Sequence, residues 1–372
     1  MNYLLRMSAV LLFISSLVLT GCQTKTPNAD GEVNNAITVK SDQPLDDVLQ
    51  PLYVTDTTIH DTDDPAIWLH PKDPSQSLII GTDKDKDGAL YVFDLQGKIQ
   101  PEKTVKGLKR PNNVDVEYGL MLGGKPVDIA VTGERLTHKL RVYQLPEMKP
   151  VDKGGIPVFE GETGSEFRDV MGISLYKRPT DNAVFAIVGR KTGPTDSTYL
   201  WQYRLEDDGN GAVKASLVRK FGHFSGTKEI EAIAVDDELG YVYYSDEGVG
   251  IKKYYADPDK GNEELAFFGK SGFADDHEGI SIYQEEDGTG YILVSDQQAN
   301  KFHIYRREGV ADDPHQHDLV KTVKVSTIES DGSEVVSVPL NSDFQHGLFV
   351  AMSDDKTFHL YRWEDIAGDE LK

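Results

Sequence analysis

Acidic and basic side chains recur at the ends of short apolar segments, and they are unevenly distributed along the chain. The basic set comes first and comprises Lys84, Arg135, Arg190 and Lys191. The acidic set follows and comprises Glu231, Asp246, Glu247, Asp276, Glu278, Asp296, Asp331 and Glu334. Four further oxygen-bearing side chains precede or accompany the basic set: Asp63, Asp64, Asn113 and Asp115.

The two sets suggest complementary chemistry. Carboxylate and amide oxygens, with neither cysteine nor paired histidines among them, suit a hard cation such as Ca²⁺. Lysine and arginine bind phosphate oxygens through charge-assisted hydrogen bonds. If both sets face one cavity, a phosphate between them is surrounded by cations, and bound metal ions activate water for hydrolysis. Each acid alone is equally compatible with an ordinary turn at a strand end, and each basic residue with a solvated charge.

Three strand-like patterns recur in the same order, six times each. The first begins at Asp64, Asn113, Met171, Glu231, Glu278 and Glu334, and the third carries the aromatic residues Phe93, Tyr143, Tyr203, Tyr254, Tyr305 and Tyr361. These aromatics are 50, 60, 51, 51 and 56 residues apart. Alternating apolar residues within each unit, without a helical period between them, predict an all-β fold, a six-bladed β-propeller of four-stranded antiparallel blades. Residues 51–55 are predicted to pair with the last blade and to close the ring.

A propeller brings the ends of its innermost strands together around a central channel. We therefore expect the basic and acidic sets to meet at the axis. The residues predicted to act in catalysis are Glu231, Lys84, Arg135 and Lys191, and Arg190 is predicted to join the three basic residues in binding substrate. The predicted metal ligands include Glu247 from the acidic set.

Residues 61–68, Asp-Thr-Asp-Asp-Pro-Ala-Ile-Trp, closely resemble the motif that opens the first blade of the β-propeller phytases, the alkaline calcium-dependent family. Residues 112–115, residue 231 with 236–238, and residues 276–279 match further family segments in the right order. The resemblance implies a six-bladed propeller that removes phosphates from calcium-bound phytate. By position it implies phosphate binding by Lys84, Arg135 and Lys191, and active-site calcium binding by Asp63, Asn113, Asp115, Glu231, Asp276, Glu278 and Asp331. Asp64 matches a ligand of a structural calcium ion.

The chain departs from the family pattern at three places. Met171 stands where the family has a tyrosine at the phosphate site. The loop of the last blade is shorter and retains one family aspartate, Asp331, while an earlier aspartate has no clear counterpart. A family glutamate that precedes the first blade has no counterpart in residues 51–60. The number or affinity of the calcium ions is therefore expected to differ from other members.

The sequence thus predicts calcium-dependent hydrolysis of phytate or other inositol phosphates, by direct attack of water activated by calcium and by Glu231. No serine or histidine motif offers a nucleophile for a covalent phosphoenzyme. Two other functions remain open. One is a calcium-dependent propeller lactonase or phosphotriesterase, which three basic residues argue against. The other is a non-catalytic propeller lipoprotein that binds a partner.

The N-terminal segment is predicted to direct export. Residues 1–22 have the features of a signal peptide, and residues 19–22, Leu-Thr-Gly-Cys, resemble a bacterial lipobox with Cys22 as the acylated residue. Cys22 is the only cysteine, so intramolecular disulfides are excluded. An ordinary cleavage site near Cys22 is the alternative. Residues 23–50 are predicted to be a flexible tether, and residues 51–372 the propeller.

Charge and anchoring limit the partners that we expect. The net charge of −23 argues against nucleic acid as a partner. Contact with the membrane is expected through the N-terminal lipid alone, on an outer-membrane lipoprotein that is a monomer. Two weaker patterns have simple interpretations. The EF-hand-like spacing of residues 83–94 is typical of a β-hairpin turn, and His315 and His317 are predicted to lie in a solvated turn.

Overall fold

Six antiparallel sheets follow one another along residues 48–371, which the computed structural model describes. The predicted signal peptide, Cys22 and the tether up to residue 47 lie outside the described residues. The strands of blade one are Thr62–Trp68, Leu78–Asp83, Gly88–Phe93 and Val105–Leu108. Those of blade two are Pro111–Leu122, Lys125–Glu134, Lys139–Gln144 and an outer strand in two pieces, Lys149–Pro150 and Ile156–Pro157. Those of blade three are Val170–Lys177, Val184–Arg190, Leu200–Asp207 and Val213–Phe221.

The second half of the chain repeats this arrangement. The strands of blade four are Ile233–Asp236, Tyr241–Asp246, Gly250–Tyr255 and Ala266–Phe268. Those of blade five are His277–Gln284, Gly290–Asp296, Lys301–Arg306 and Leu319–Val325. Those of blade six are Ser333–Val336, Leu348–Ser353, Thr357–Arg362 and, as the outermost strand, Tyr53–Val54. The predicted fold class, a six-bladed propeller with four-stranded blades, is confirmed.

Residues from the beginning of the described chain close the ring. Tyr53–Val54 pairs antiparallel with Thr357–Arg362, and the backbone N–H of Leu52 donates to the carbonyl oxygen of Leu360 at 2.8 Å. The predicted closure by residues 51–55 is therefore confirmed. Pairing begins before the predicted boundary at residue 51, because Val48–Leu49 adds a parallel fifth strand to Leu319–Val325 of blade five.

The hydrophobic core lies between the blades. Buried apolar residues of the described chain form six clusters, and each cluster joins two neighbouring blades. Both faces of a central strand are covered in this arrangement, so all six residues of Leu78–Asp83 and of Leu348–Ser353 are buried. Burying both faces stabilises the ring as a whole, since no blade can cover its own faces.

A shared register aligns the innermost strands. In each blade the same inner position pairs with the residue that lies two before the end of the second strand. These pairs are Pro65 with Gly81, Val114 with Thr132, Ile173 with Val188, Ile233 with Tyr244, Ile280 with Val294 and Ser333 with Ala351. Bulges precede the pair in blades one, two, three and five. A bulge places two residues opposite one, so adjacent side chains need not alternate between faces.

Two local predictions are settled by the fold. Residues 83–94 form a hairpin between Leu78–Asp83 and Gly88–Phe93, as predicted, with Asp85 accepting from the N–H of Asp87. The solvated-turn prediction was wrong for His317, which is 6% exposed and lies within hydrogen-bond distance of Lys253 Nζ at 3.1 Å. Within residues 48–371, no helix is long and apolar enough to cross a membrane.

Candidate active site

The residue that follows each second strand lies at the same end of its blade. The second strands end at Asp83, Glu134, Arg190, Asp246, Asp296 and Ser353. The residues after them are Lys84, Arg135, Lys191, Glu247, Gln297 and Asp354. Two residues before each shared inner position lie Asp63, Asn112, Met171, Glu231, Glu278 and Asp331, which we call the rim layer. Contacts between these two sets build one site.

The basic side chains of the site contact rim-layer residues or a neighbouring acid. Lys84 Nζ forms an ion pair with Asp63 and lies 3.4 Å from Asp331 Oδ2, so it links blades one and six. The guanidinium of Arg135 contacts the sulfur of Met171 in blade three. Lys191 Nζ lies 2.5 Å from Glu229 Oε2 in blade four. The three predicted phosphate-binding residues therefore follow the rim of blades one to three.

Carboxylates crowd the opposite half of the rim. One oxygen each of Glu229, Glu231 and Glu247 lies within 4.8 Å of the others. Asn112 Nδ2 joins the two halves, since it donates to Asp63 Oδ2 at 3.2 Å and to Glu231 Oε1 at 3.4 Å. In blade five, Gln297 donates to Asp331, so the acids form a connected network.

Burial and mutual repulsion disfavour the charged forms of these acids. Burial, reinforced by the charge of Asp63, raises the pKa of Glu231 to about 8, although Lys84 opposes the shift. Burial and the charges of Glu229 and Glu231 raise the pKa of Glu247 to about 10. Burial, reinforced by Asp63, raises the pKa of Asp331 to about 7. A cation placed among these groups relieves the repulsion and favours their ionised forms.

Lys84, the basic residue of this network, keeps its charge. Burial lowers the pKa of Lys84, yet the carboxylates of Asp63, Glu231 and Asp331 together raise it above its ordinary value. The ammonium group is therefore charged throughout the physiological range.

The donor set fits a hard divalent cation. All its ligand atoms are oxygens, and the arrangement is too acidic to be balanced by Lys84 alone. Glu247 Oε1 and Glu278 Oε2 are buried and have no hydrogen-bond partner among the described residues. An unpaired buried carboxylate oxygen is costly unless a cation or a proton compensates it.

Two predicted metal ligands lie deeper than the rim. Asn113 and Asp115 line the channel, a cavity of about 350 Å³ that Asp64 and Glu334 also line. Asp115 Oδ2 accepts hydrogen bonds from the N–H of Leu175 at 2.7 Å and from Ser174 Oγ at 2.9 Å. The structure thus places Asn113 and Asp115 in the channel, apart from the rim-layer acids with which they were predicted to act. Asp64, predicted to bind a separate ion, also lies in this channel set.

Arg190 does not reach the site. Its side chain is fully buried, and its nitrogens donate to the carbonyl oxygens of Tyr199 and Thr198 at 3.0 Å each and of Phe167 at 3.2 Å. These hydrogen bonds stabilise the loop that follows its own strand, so its predicted role in substrate binding was wrong. Asp246 and Asp296 are likewise buried and structural, the first paired with Lys252 at 2.9 Å and the second with His303 at 3.2 Å.

Asp276 lies at the outer edge of the acidic half. It accepts from Gln298 Nε2 at 2.9 Å and forms an ion pair with Lys228. Its charge adds to the forces that raise the pKa of Glu247 and of Glu278. The position of Asp276 is thus consistent with its predicted place among the acids, and the residue is paired with Lys228.

Sequence reasoning missed four residues of the site: Asn112, Lys228, Glu229 and Gln297. Asn112 and Gln297 occupy positions equivalent to Glu231 and Lys84 in other blades, so a correct register identifies them. Lys228 and Glu229 lie outside the strands, before Ile233–Asp236. Their only signal in the sequence is their closeness to Glu231.

Comparisons with known proteins agree with this geometry. The family model described as phytase matches residues 8–367. A curated 3-phytase of Bacillus subtilis (strain 168) is 31% identical over 323 residues, which cover 82% of this chain and 80% of that protein. The resemblance seen in residues 61–68 is confirmed by both findings. The chain therefore belongs to the phytase family and is a phosphate-ester hydrolase.

Proposed function

We propose that this protein hydrolyses the phosphate monoesters of phytate, myo-inositol hexakisphosphate, in a calcium-dependent reaction that releases inorganic phosphate. One observation carries the proposal: the basic rim residues Lys84, Arg135 and Lys191 adjoin a cluster of carboxylates, with Lys84 and Lys191 each in contact with an acid. The similarity to a 3-phytase supports the choice of substrate.

The basic side chains would bind the phosphate that is removed and a neighbouring one. Lys84 and Lys191 each pair with a carboxylate of the site, Asp63 and Glu229, and these contacts hold their ammonium groups among the rim residues. Arg135 has an Nε that is buried and without a hydrogen-bond partner among the described residues, and its guanidinium offers paired donors for phosphate oxygens. Such donors stabilise the charge of the phosphoryl group as it is transferred.

Calcium would be held by the acidic half of the rim together with Asp63 of blade one. The side chains that would hold it are those of Asp63, Glu229, Glu231, Glu247, Asp276, Glu278 and Asp331. When bound, calcium supplies Lewis-acid chemistry, which lowers the pKa of water and neutralises phosphoryl charge. Asn112 holds Asp63 and Glu231 in place through its two amide contacts.

Glu231 is our candidate for the general base. It lies in the rim layer, accepts a hydrogen bond from Asn112, and interacts electrostatically with both Asp63 and Lys84. In its ionised form, its carboxylate oxygen would accept the proton of the attacking water. No covalent phosphoenzyme is required in this scheme, since water attacks phosphorus directly.

The alternatives predict different sites. A lactonase or phosphotriesterase needs a largely apolar pocket beside its metal, whereas Lys84, Arg135 and Lys191 make this mouth strongly polar. A non-catalytic binding protein has no turnover to lose. The membership in the phytase family favours neither.

Phosphate release from phytate by the purified protein tests the proposal. We expect release with calcium present, loss of release after chelation, and recovery when calcium is restored. A folded protein that releases no phosphate at any calcium concentration would overturn the assignment. Release that is unaffected by chelation would overturn the calcium requirement alone.

We also propose that the protein is an exported bacterial lipoprotein. The support is the lipobox-like sequence that ends at Cys22, followed by Gln23 rather than the aspartate that favours inner-membrane retention. The lipid on Cys22 would hold a monomeric propeller at the outer membrane through the tether.

A further inference from the structure

Lys228 is a basic side chain on the acidic half of the rim. Its Nζ lies 2.9 Å from Asp275 Oδ1 and forms a second ion pair with Asp276. The side chain remains 35% exposed, so it can change partner without unpacking the core. It differs in this respect from Lys252 nearby, which is 3% exposed and paired with Asp246.

The backbone at Lys228 has an unusual conformation. Its φ is +48°, in the left-handed region that residues other than glycine seldom adopt. Such backbone strain persists where the surroundings fix it, and it is concentrated at functional sites. Here it directs consecutive side chains to different blades, Lys228 towards Asp276 of blade five and Glu229 towards Lys191 of blade three.

The stem of Lys228 passes beside the carboxylate cluster. A Cβ atom on Gly248 would lie 3.8 Å from Lys228 Cδ, and Gly248 directly follows Glu247. The stem of Lys228 therefore lies against the segment that carries Glu247, and its ammonium group is paired with acids at the outer edge of the acidic half.

Asp276 does not depend on Lys228 for its position. Gln298 Nε2 donates to Asp276 Oδ2 at 2.9 Å, and the N–H of Asp276 donates to Gln298 Oε1 at 2.8 Å. Asp275, the second partner, has a side chain that is 59% exposed. A divalent cation bound to Asp276 would compete with Lys228 for Asp276 Oδ1, while Gln298 would keep the aspartate in place.

We propose that Lys228 is a substrate-binding residue that holds a further phosphate of a polyphosphorylated substrate, beyond the two bound by the basic rim, and that it becomes free for this role when a divalent cation binds Asp276. The inference rests on the proposed function, because it needs cations and a phosphate ester at the same mouth. It adds a specificity: a ligand with phosphates on several sides can contact the basic rim and Lys228 together, whereas a small monophosphate cannot.

The variant Lys228→Asn tests this role without straining the backbone, since asparagine tolerates the left-handed conformation. At saturating calcium, we expect the KM for phytate to rise about tenfold, as for the loss of one charge-assisted hydrogen bond. The kcat for phytate and the kcat/KM for phenyl phosphate should stay within about twofold, and Lys228→Arg should retain the phytate KM. Lys98→Asn is the matched control, because Lys98 pairs with Asp56 at 2.8 Å in an exposed ion pair.

A purely structural role gives a different result. If Lys228 only neutralises Asp276, its loss lowers the calcium concentration needed for activity and leaves the phytate KM unchanged, and that outcome would overturn the inference. An equal loss on phytate and phenyl phosphate would overturn it as well.

Calorimetric binding of phytate separates this inference from the proposed function. Binding that Lys228→Asn weakens about tenfold supports the inference even if the wild-type protein shows no turnover, in which case the proposed function fails alone. Turnover by the wild-type protein with unchanged binding by the variant means that the inference fails alone. A wild-type protein that does not bind phytate at all overturns both.

Discussion

Arg190 and Lys191 are neighbours in the chain, yet only Lys191 reaches the channel mouth. The guanidinium of Arg190 is enclosed between blades, 4.7 Å from the ring centroid of Phe159, and fully hidden from solvent. Lys191 Nζ contacts Glu229, and its side chain is 36% exposed. The strand ends at Arg190, so the next side chain leaves the sheet and turns into the site.

Alanine substitution should reduce stability at Arg190 and activity at Lys191. Arg190→Ala leaves three carbonyl oxygens and Glu162 without their partner, so we expect it to lower the free energy of unfolding by about 3 kcal/mol. Lys191→Ala should change that free energy by less than about 0.5 kcal/mol and lower kcat/KM for phytate about 10- to 100-fold. Denaturant unfolding and steady-state kinetics of both variants provide the check. Normal stability of Arg190→Ala together with a specific loss of activity would restore its rejected role.

The spacing of the repeats was sufficient to predict the fold. The aromatics from Phe93 to Tyr361 mark the third strand of every blade, and residues 51–55 contain the strand that closes the ring. Alternation of apolar residues predicts strands because both faces of each central strand are buried between blades. The ends of the second strands, and with them Lys84, Arg135 and Lys191, follow from the same pattern.

The register of the inner strands could not be obtained in this way. Counted from the rim-layer residue of each blade, the predicted pattern began one residue late in blades one and two, at Asp64 and Asn113. In blade six it began three residues late, at Glu334. Bulges in blades one and two place two residues opposite one, so alternation no longer shows which of two adjacent polar residues faces the rim. Lys228 and Glu229 lie in a loop, where no period identifies the direction of a side chain.

The crowded acids should make stability depend on pH when calcium is absent. Burial and nearby charges raise the pKa of Glu231 to about 8 from 4.5 and that of Asp331 to about 7 from 3.8. The folded state then binds more protons than the unfolded state between about pH 4 and pH 8, so the free energy of unfolding decreases as the pH rises through that window. In chelator, we expect a loss of more than about 1 kcal/mol between pH 5 and pH 8.

Calcium should reverse this trend, because its binding favours the ionised acids. Thermal unfolding from pH 5 to pH 9, with chelator and with calcium, measures both effects. A midpoint in chelator that rises between pH 6 and pH 8 would contradict the raised pKa values. A midpoint that calcium leaves unchanged at pH 8 would contradict binding at these acids.

Glu231→Gln should remove the general base while keeping the shape of the side chain. We expect kcat for phytate to fall by at least about 100-fold at saturating calcium, the usual effect of losing a positioned base. Glu334→Gln is a suitable control, since the half-buried Glu334 lines the channel below the rim layer and desolvation raises its pKa to about 8 as well. Its kcat should remain within a few-fold of wild type. Equal activities of the two variants would show that Glu231 has no special role.

Cys22→Ser tests the anchoring proposal in cells. The wild-type protein should incorporate radiolabelled fatty acid and partition into detergent with the outer-membrane fraction, because acyl chains provide the membrane affinity. The serine variant should lose the label and the partitioning, since Cys22 is the only cysteine in the chain. A wild-type protein that is unlabelled and recovered from the soluble fraction would point to an ordinary cleavage site instead.

The close approach of blades three and four should make Gly172 irreplaceable. A Cβ atom at Gly172 would overlap the backbone carbonyl oxygen of Glu231, so Gly172→Ala must displace the segment that carries the proposed base. Gly189 lies in the neighbouring strand, and its Cβ would lie 3.0 Å from the carbonyl oxygen of Ile230, a contact that a small shift relieves. We expect Gly172→Ala to lower kcat at least about tenfold and to destabilise the fold by about 1–3 kcal/mol, as overpacking does, and Gly189→Ala to have a clearly smaller effect on both. Steady-state kinetics and thermal unfolding of the two variants make the comparison, and similar behaviour of both would mean that the position of the Glu231 backbone does not limit the reaction.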